Sequence, residues 1–202
     1  DKSLWQAKSF LQENHIHFQP GVNEELAGTA VWGSQQTNLF PGARYDGVYA
    51  MWYGKGPGVD RCGDVFKHGN SAGVSEHGGV LLLAGDDHGC KSSTIANQSE
   101  HAFIAASIPV LNPADVQELL DYGIIGWEMS RYSGCWVALK TIAENVDSSA
   151  VVEVDPQRVQ VTIPADFVLP EDGVYIRWPD PPLAQEKRLN VYKIYAARAF
   201  AL

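Results

Sequence analysis

Polar and charged residues follow three of the apolar segments that the sequence predicts as strands. Residues 20–25 contain Asn23 and Glu24, residues 54–63 open with GKGPG, and residues 85–94 read GDDHGCKSST. Carboxylates, hydroxyls, lysine and successive glycine amides can bind anions, transfer protons or ligate metal ions. Because ligands bind beyond the carboxyl ends of strands in open parallel sheets, these three segments form the candidate site.

The GDDHG run at residues 85–89 resembles the GDxHG signature of two-metal phosphoesterases, in which Asp and His bind the metal ions. A dinuclear site also needs Asn and His ligands later in the chain, but all six histidines lie in the first half. A metal-dependent, phosphoesterase-like hydrolase is therefore an alternative. The simpler interpretation is that these polar side chains cap the following helix.

The GKGPG run at residues 54–58 has two interpretations. Its glycine amides could form an anion nest beside Lys55 and Gly56. Its spacing differs from the GxxxxGK[ST] pattern of nucleotide P-loops. An anion site and a tight loop with one exposed lysine both fit the sequence.

The elements that would position these segments alternate between strands and helices. Strands are predicted at residues 16–19, 47–53, 79–84, 109–111 and 150–154. The run GVLLLA at residues 79–84 is apolar throughout, as expected of a parallel strand buried on both faces. The alternation indicates an α/β three-layer sandwich with a mainly parallel sheet.

Helical patterns are predicted at residues 3–14, from Asn23, from Asn112 to Gly123, at residues 124–145 with a candidate break near Gly134, and from about residue 183. Asn23 is a candidate N-cap, and Glu24 in the first turn would complement the helix dipole. Asn112 followed by Pro113 is a second candidate helix start.

Two regions are predicted along the chain. Residues 1–154 form the α/β domain, and residues 155–202 form an extended strap, rich in proline, followed by the start of a connecting helix. Both chain ends fall inside helical patterns, which is typical of a fragment of a longer protein.

The composition excludes several classes of protein. The 202 residues are 45% hydrophobic, which is sufficient for one core. The net charge of −9, without a Lys/Arg cluster, argues against a nucleic-acid partner. No apolar run approaches the roughly 20 residues of a membrane-spanning helix. Three dispersed cysteines indicate a reducing, cytoplasmic location and cannot hold an iron–sulfur cluster alone; they are Cys62, Cys90 and Cys135.

Four blocks, taken together in order, are more specific than any single motif. They are FQPGVNEELAGTAVWGSQQ, MWYGKGPGVDRCGDVFKHGN, GGVLLLAGDDHGCKSSTIANQSEHAF and IPVLNPADVQELLDYG, which begin at residues 18, 51, 78 and 108. This succession resembles the indolepyruvate ferredoxin oxidoreductase family of thiamine-diphosphate-dependent 2-oxoacid:ferredoxin oxidoreductases, in particular the long fused bacterial form. The resemblance extends from about residue 16 to residue 195.

The resemblance implies an enzyme domain that takes part in the oxidative decarboxylation of aryl or other 2-oxo acids to acyl-CoA. It implies thiamine diphosphate as cofactor and, in the full-length enzyme, Mg²⁺, [4Fe–4S] clusters and coenzyme A. The chain matches the pyrimidine-binding (PYR) side. Its implied partners are the diphosphate-binding and acyl-carrier domains of the same enzyme, ferredoxin and a second subunit in a homodimer. The chain alone is expected to be inactive.

The resemblance also implies site residues. Glu24 is the implied catalytic residue, because a carboxyl group hydrogen-bonded to the pyrimidine N1′ favours the imino tautomer of the ring. Glu25 lies about 100° further round the helix and should not share this role. Without the resemblance, Glu24 could simply complement the helix dipole, and a non-catalytic PYR-like assembly module is the other alternative. The implied cofactor-binding residues are Glu24, Asn23, Lys55, Gly56, Asp86, Asp87, Ser92 and Ser93.

Overall fold

The sheet of the computed structural model, which describes residues 2–202, has four strands in the order β1-β2-β4-β3. The strands are β1 (Tyr49–Lys55), β2 (Gly79–Asp86), β3 (Val110–Leu111) and β4 (Val137–Ile142). All three strand pairings are parallel, so crossover connections join the paired strands. Helices cover both faces, and the predicted α/β three-layer sandwich is confirmed.

The helices are α1 (Lys2–Gln6), α2 (Lys8–Glu13), α3 (Glu24–Gln35), α4 (Gly56–Arg61), α5 (Gly63–Ala72), α6 (Glu100–Ala105), α7 (Val116–Ser133), α8 (Ala143–Val146), α9 (Pro182–Arg188) and α10 (Ile194–Phe200). A 3₁₀ turn at Thr37–Leu39 follows α3, and a π-helical turn at Leu189–Lys193 joins α9 to α10. Across residues 2–202, no helix combines the length and apolar character needed to cross a membrane.

Aromatic rings fill the core on the α3–α6 side of the sheet. Trp52 of β1 meets Phe66 of α5 edge-on at 5.1 Å, and Phe66 also contacts Phe103 and Trp136. On the other face, residues of β2 and β4 pack against α7 and α10, including Leu81, Val137, Leu139, Met129 and Ala197. The predicted strand at residues 79–84 is therefore confirmed, with both of its faces inside the protein.

The predicted helix at residues 124–145 ends at its candidate break, Gly134, and the prediction is wrong for the second half, which includes a strand. Helix α7 ends at Ser133 because Gly134 adopts a left-handed conformation, with φ of 75°, and its N–H donates to the Ser130 carbonyl oxygen. The apolar residues that follow form β4, which lies between β2 and β3 and is buried.

Helix α7 also begins later than predicted. Its N-cap is Asp115 rather than Asn112, because the Asp115 side chain accepts a hydrogen bond from the Glu118 N–H at 2.9 Å. The Glu118 side chain accepts in return from the Ala114 N–H at 2.7 Å. The helix then continues through Gly123, where the sequence predicted that it would end.

Two predicted strands are absent from the sheet that the described residues form. At residues 16–19, the N–H of Ile16 instead donates to the Leu11 carbonyl oxygen at 2.8 Å and closes the end of α2. At residues 150–154, the Gln117 side chain takes the place of a neighbouring strand: it accepts from the Glu153 N–H at 2.7 Å and donates to the Glu153 carbonyl oxygen at 3.2 Å.

The C-terminal part contains a segment without regular secondary structure and a helical end. Residues 147–181 include neither helix nor strand. Helix α10 packs on α7, where Ala197 joins the core and Phe200 contacts Tyr132. The division into regions at residues 1–154 and 155–202 stays a prediction.

Two buried cations fasten this C-terminal part. Lys193 is fully buried and donates to the carbonyl oxygens of Asn70 and Ser71, at 2.6 and 3.1 Å, near the C-terminus of α5. Burial lowers the pKa of Lys193 from 10.5 to about 8. Arg188 makes a bidentate ion pair with Asp180, at 2.7 and 3.1 Å, and both side chains are buried. The last carbonyls of α5, which lack partners within the helix, are thus satisfied from the C-terminal end of the chain.

The close contact between α5 and Trp136 yields a first prediction. A Cβ at Gly69 would lie 2.3 Å from the Trp136 ring, so Gly69→Ala should destabilise the fold by about 1–3 kcal/mol through overpacking. Gly33→Ala is the matched control, since a Cβ there meets nothing within 4 Å and should stabilise α3 by about 0.5–1 kcal/mol. Urea denaturation measures both; equal effects of the two substitutions would contradict the packing described.

Burial of Lys193 yields a second prediction. Between pH 8 and 10.5 the unfolded chain holds a proton on Lys193 that the folded chain has released, so folding stability should rise with pH in this window. Tyrosines and cysteines titrate in the same range, so the informative quantity is the difference between the wild type and Lys193→Met. That difference should grow in favour of the wild type from pH 8 to 10.5 and stay constant below pH 8. Parallel stability curves would show that the buried amine does not titrate as described.

Candidate functional site

The start of α3 positions Glu24. Asn23 is the N-cap, as predicted, and its side chain accepts a hydrogen bond from the Leu26 N–H at 2.9 Å. The indole N–H of the buried Trp52 donates to the Glu24 carbonyl oxygen at 3.0 Å and ties this first turn to β1. Glu24 is half-buried, whereas its neighbour Glu25 is exposed. The two carboxylates therefore have different surroundings, as the helical spacing predicts.

The side chain of Glu24 lies against α4. A Cβ at Gly58 would come within 2.6 Å of the Glu24 Cγ, so this close approach requires glycine. Among residues 2–202, the Glu24 carboxylate makes no hydrogen bond and no ion pair. Burial and then the charges of Glu24 and Glu25 raise the pKa of Cys62 to about 12, so the thiol of Cys62 stays protonated.

The segment at residues 54–63 is not the loop that the sequence suggested. Strand β1 ends at Lys55, and α4 begins directly at Gly56. A Cβ at Gly56 would lie 2.4 Å from the Cβ of Asn97, so the glycine allows the helix start to touch the next loop. The Lys55 Nζ donates to the Ser92 carbonyl oxygen at 2.6 Å, which joins β1 to the same loop.

That loop follows β2 and is organised by Asp87. Gly85 and Asp86 still belong to the strand. The Asp87 carboxylate accepts from the backbone N–H groups of Ser92 and Lys91, at 2.7 and 2.8 Å. These two hydrogen bonds hold the pKa of Asp87 below its ordinary value. Its charge thus stabilises the turn of the loop.

Asp86 faces the interior. It accepts from the Ser99 N–H at 2.8 Å and from the Ser99 hydroxyl at 2.5 Å, and the Lys140 Nζ lies 3.8 Å from its carboxylate. These contacts agree with a structural role at the start of α6. In the part of the chain that the structure covers, no three His, Cys, Asp or Glu side chains are grouped so that they could hold a metal ion.

A cleft of about 570 Å³ opens between α4 and the loop after β2. Three of the predicted cofactor-binding residues line it, namely Lys55, Ser92 and Ser93. Five further lining residues were not predicted from the sequence; they are Pro57, Asp60, Thr94, Ile95 and Asn97. The predicted residues Asn23, Glu24, Gly56, Asp86 and Asp87 are not part of the lining.

Helix α4 separates Glu24 from the cleft. Pro57 and Asp60, three residues apart, line the cleft, whereas Gly58 meets Glu24. Both features lie at the carboxyl end of β1, because α4 starts where that strand ends. The structure therefore places Glu24 at the same edge of the sheet as the cleft, with α4 between them.

The groups at this edge suit a polar ligand. Within the described lining, Lys55 supplies one positive charge and Asp60 one negative charge, and the hydroxyls of Ser92 and Thr94 supply donors and acceptors. The Ser93 Oγ is buried and has no hydrogen-bond partner among residues 2–202. The carboxylate of Glu24 is available to a group that presents a donor.

Comparison with known proteins gave matches to individual relatives, whereas no family model matches the chain. It is 28% identical over 139 residues to the indolepyruvate oxidoreductase subunit IorA of Methanothermobacter thermautotrophicus, which covers 69% of this chain and 21% of that protein. For the same subunit of Methanothermobacter marburgensis the identity is 26% over 145 residues, 72% of this chain and 22% of that protein. For the same subunit of Archaeoglobus fulgidus the identity is 31% over 113 residues, which covers 56% of this chain and 18% of that protein.

The chain thus spans about a fifth of the length of the curated relatives that it matches. The matched regions cover more than half of the chain in each case. They confirm the predicted resemblance: this chain is similar to the indolepyruvate oxidoreductase family.

Proposed function

We propose that this chain is the pyrimidine-binding domain of a 2-oxoacid:ferredoxin oxidoreductase of the indolepyruvate type. In this proposal Glu24 is the activating carboxyl group for the oxidative decarboxylation of aryl or other 2-oxo acids to acyl-CoA. Thiamine diphosphate is the cofactor, and the full-length enzyme also uses Mg²⁺, [4Fe–4S] clusters and coenzyme A. The relatives that the chain matches are named indolepyruvate oxidoreductase subunits, which supports the oxidoreductase assignment.

One observation supports the role of Glu24 above all others. Glu24 is a half-buried residue whose carboxylate has no hydrogen-bond or ion-pair partner among the described residues, although Trp52 fixes its backbone. Its oxygens are open to solvent, so a ligand can reach them without breaking an existing contact. A carboxylate that is held in place but left without a partner is suited to an external donor.

The residues fit an aminopyrimidine ligand in chemical terms. When bound, thiamine diphosphate supplies the nucleophilic carbon that attacks the ketone of the 2-oxo acid. Glu24 would hold a proton at the pyrimidine N1′ and exchange it with the ring, as a positioned general acid–base. Lys55 and the hydroxyls of Ser92 and Ser93 would bind polar groups of the ligand in the neighbouring cleft. Asp87 would act indirectly, by keeping this loop folded.

The proposal extends to partners and location. The diphosphate-binding and acyl-carrier domains of the same enzyme would complete the site, ferredoxin would accept the electrons, and two subunits would associate as a homodimer. The small share of the relatives that the chain covers supports a need for further domains. The free thiols of all three cysteines support a reducing, cytoplasmic location.

Substitution of Glu24 tests the proposed role directly. In the assembled enzyme, Glu24→Gln should slow the exchange of the cofactor's C2 hydrogen for deuterium by about 10²- to 10⁴-fold, because an amide cannot exchange a proton with N1′ in the same way. Folding stability should change by less than about 1 kcal/mol, since first-turn carboxylates contribute at most about that much. NMR of the cofactor in deuterated water follows the exchange without requiring electron transfer.

Glu25→Gln is the matched control for this experiment. The neighbouring carboxylate shares the helix dipole but is exposed, so this variant should exchange at the wild-type rate. Wild-type exchange in Glu24→Gln as well would remove the catalytic role and favour a non-catalytic assembly module. An equal loss of exchange rate in the two variants would indicate that both carboxylates act only through the helix dipole.

A further prediction concerns the 202-residue chain on its own. Titration calorimetry with thiamine diphosphate and Mg²⁺ should show no saturation at low micromolar concentrations. Within the described lining, Lys55 is the one cation at the cleft, and one ammonium provides few of the charge-assisted hydrogen bonds that a diphosphate accepts. Titration of pyrophosphate gives the contribution of the anion alone. Low-micromolar binding of the cofactor would mean that this chain itself carries the diphosphate site.

A further inference from the structure

Behind the cleft, a buried lysine connects the two ends of the loop that forms its wall. Lys140 of β4 is 5% exposed and pairs in register with Ala84 of β2. Its Nζ hydrogen-bonds to the Glu100 carboxylate and lies 3.8 Å from that of Asp86. Lys140 itself does not line the cleft.

The two carboxylates stand at opposite ends of the loop. Asp86 is the last residue of β2, and Glu100 is the first residue of α6. Asp86 also accepts both hydrogen bonds of Ser99, so the end of the loop is tied to its beginning. Between them, residues 87–99 provide most of the cleft wall, including Ser92, Ser93 and Asn97.

Opposite charges stabilise the connection between the two ends of the loop, and this stabilisation depends on Lys140. One ammonium faces two carboxylates, and Asp86 is 4% exposed. Oε2 of Glu100 has no hydrogen-bond partner in the described part of the chain. Burial alone would raise the pKa of Glu100, but the hydrogen bond from Lys140, the backbone N–H of Glu100 and the charges of Lys140 and His88 together lower that pKa. Removing the ammonium would leave the buried Asp86 carboxylate without its counter-charge and near the carboxylate of Glu100, whose side chain is 35% exposed.

We propose that Lys140 is a positioning residue, which sets the place of the cleft wall by holding Asp86 and Glu100 at the two ends of the loop. The loop then reaches β1 and α4 through two contacts, namely the bond from Lys55 to the Ser92 carbonyl oxygen and the packing of Asn97 on Gly56. Lys140 thus acts on any ligand of the cleft through the loop, without touching the ligand. Its effect on the cofactor rests on the proposed function.

Amide hydrogen exchange of the 202-residue chain tests the positioning without any ligand. In Lys140→Met, the N–H groups of Ser99, Asn97 and Ser92 should exchange at least about tenfold faster relative to the core amides of β2, because the loop opens locally. Lys140→Arg restores the charge and should bring this ratio back to within about threefold of the wild type. Ser99→Ala removes the hydrogen bond from the Ser99 hydroxyl to Asp86 but no charge, so it should give an intermediate ratio. It replaces Lys140→Met as the test variant if Lys140→Met fails to fold.

Lys193→Met is the matched control, since Lys193 is the other buried lysine of the described chain and lies at α5 and α10, away from the loop. It should leave the ratio of loop to core exchange unchanged, even if it destabilises the whole fold. Equal acceleration of loop and core amides in Lys140→Met would show a purely structural role and overturn the proposal. An unchanged ratio in both Lys140→Met and Ser99→Ala would do the same.

A second measurement connects the loop to the cofactor. In the assembled enzyme, Lys140→Met should raise the thiamine diphosphate concentration for half-maximal C2 exchange by about tenfold and change the maximal rate by less than about threefold. A lower maximal rate at unchanged half-saturation would contradict positioning through the cleft. Absence of C2 exchange in the wild type would reject the proposed function, whereas the amide-exchange result would still decide the role of Lys140.

Discussion

The hydrogen bond from the indole of Trp52 to the Glu24 carbonyl oxygen is the constraint on which the candidate site depends. Trp52 is almost fully buried and packs edge-on against Phe66, so its N–H has a fixed direction. The bond therefore transmits the position of the core to the first turn of α3. A buried indole that lost this acceptor would leave a donor unsatisfied, which makes the arrangement costly to disturb.

Parts of the fold could be predicted from local signals and others could not. The run at residues 79–84 is apolar throughout and has a single interpretation, and the N-cap Asn23 acts within its own turn. By contrast, Val137–Ile142 is short and includes Lys140 and Thr141, so its pattern fits a strand or a continuing helix equally well. Residues 150–154 have strand-like composition, but the side chain of Gln117, more than thirty residues earlier, satisfies their backbone.

The candidate site likewise contains residues that local signals predict and residues that they do not. Lys55, Ser92 and Ser93 were predictable, because they follow strands whose carboxyl ends meet at one edge. Asn97 was not, since its place depends on the contact with Gly56 across the cleft. Lys140 lies inside a strand, and the residues next to it in the sequence do not indicate that it contacts the carboxylates of Asp86 and Glu100. Contacts between residues that are far apart in the sequence cannot be predicted from motif spacing or hydrophobic periodicity.

The order of the strands has a consequence for how the chain folds. The edge strand β3 pairs with β4 alone, yet it precedes β4 in the chain, and β4 in turn separates it from β2. During synthesis, Val110 and Leu111 therefore have no strand partner until Val137–Ile142 has left the ribosome. Such non-local pairing slows folding, because a long segment must close before any strand contact forms. The β3 edge of the sheet can therefore close only after a strand that is translated later than β3 itself.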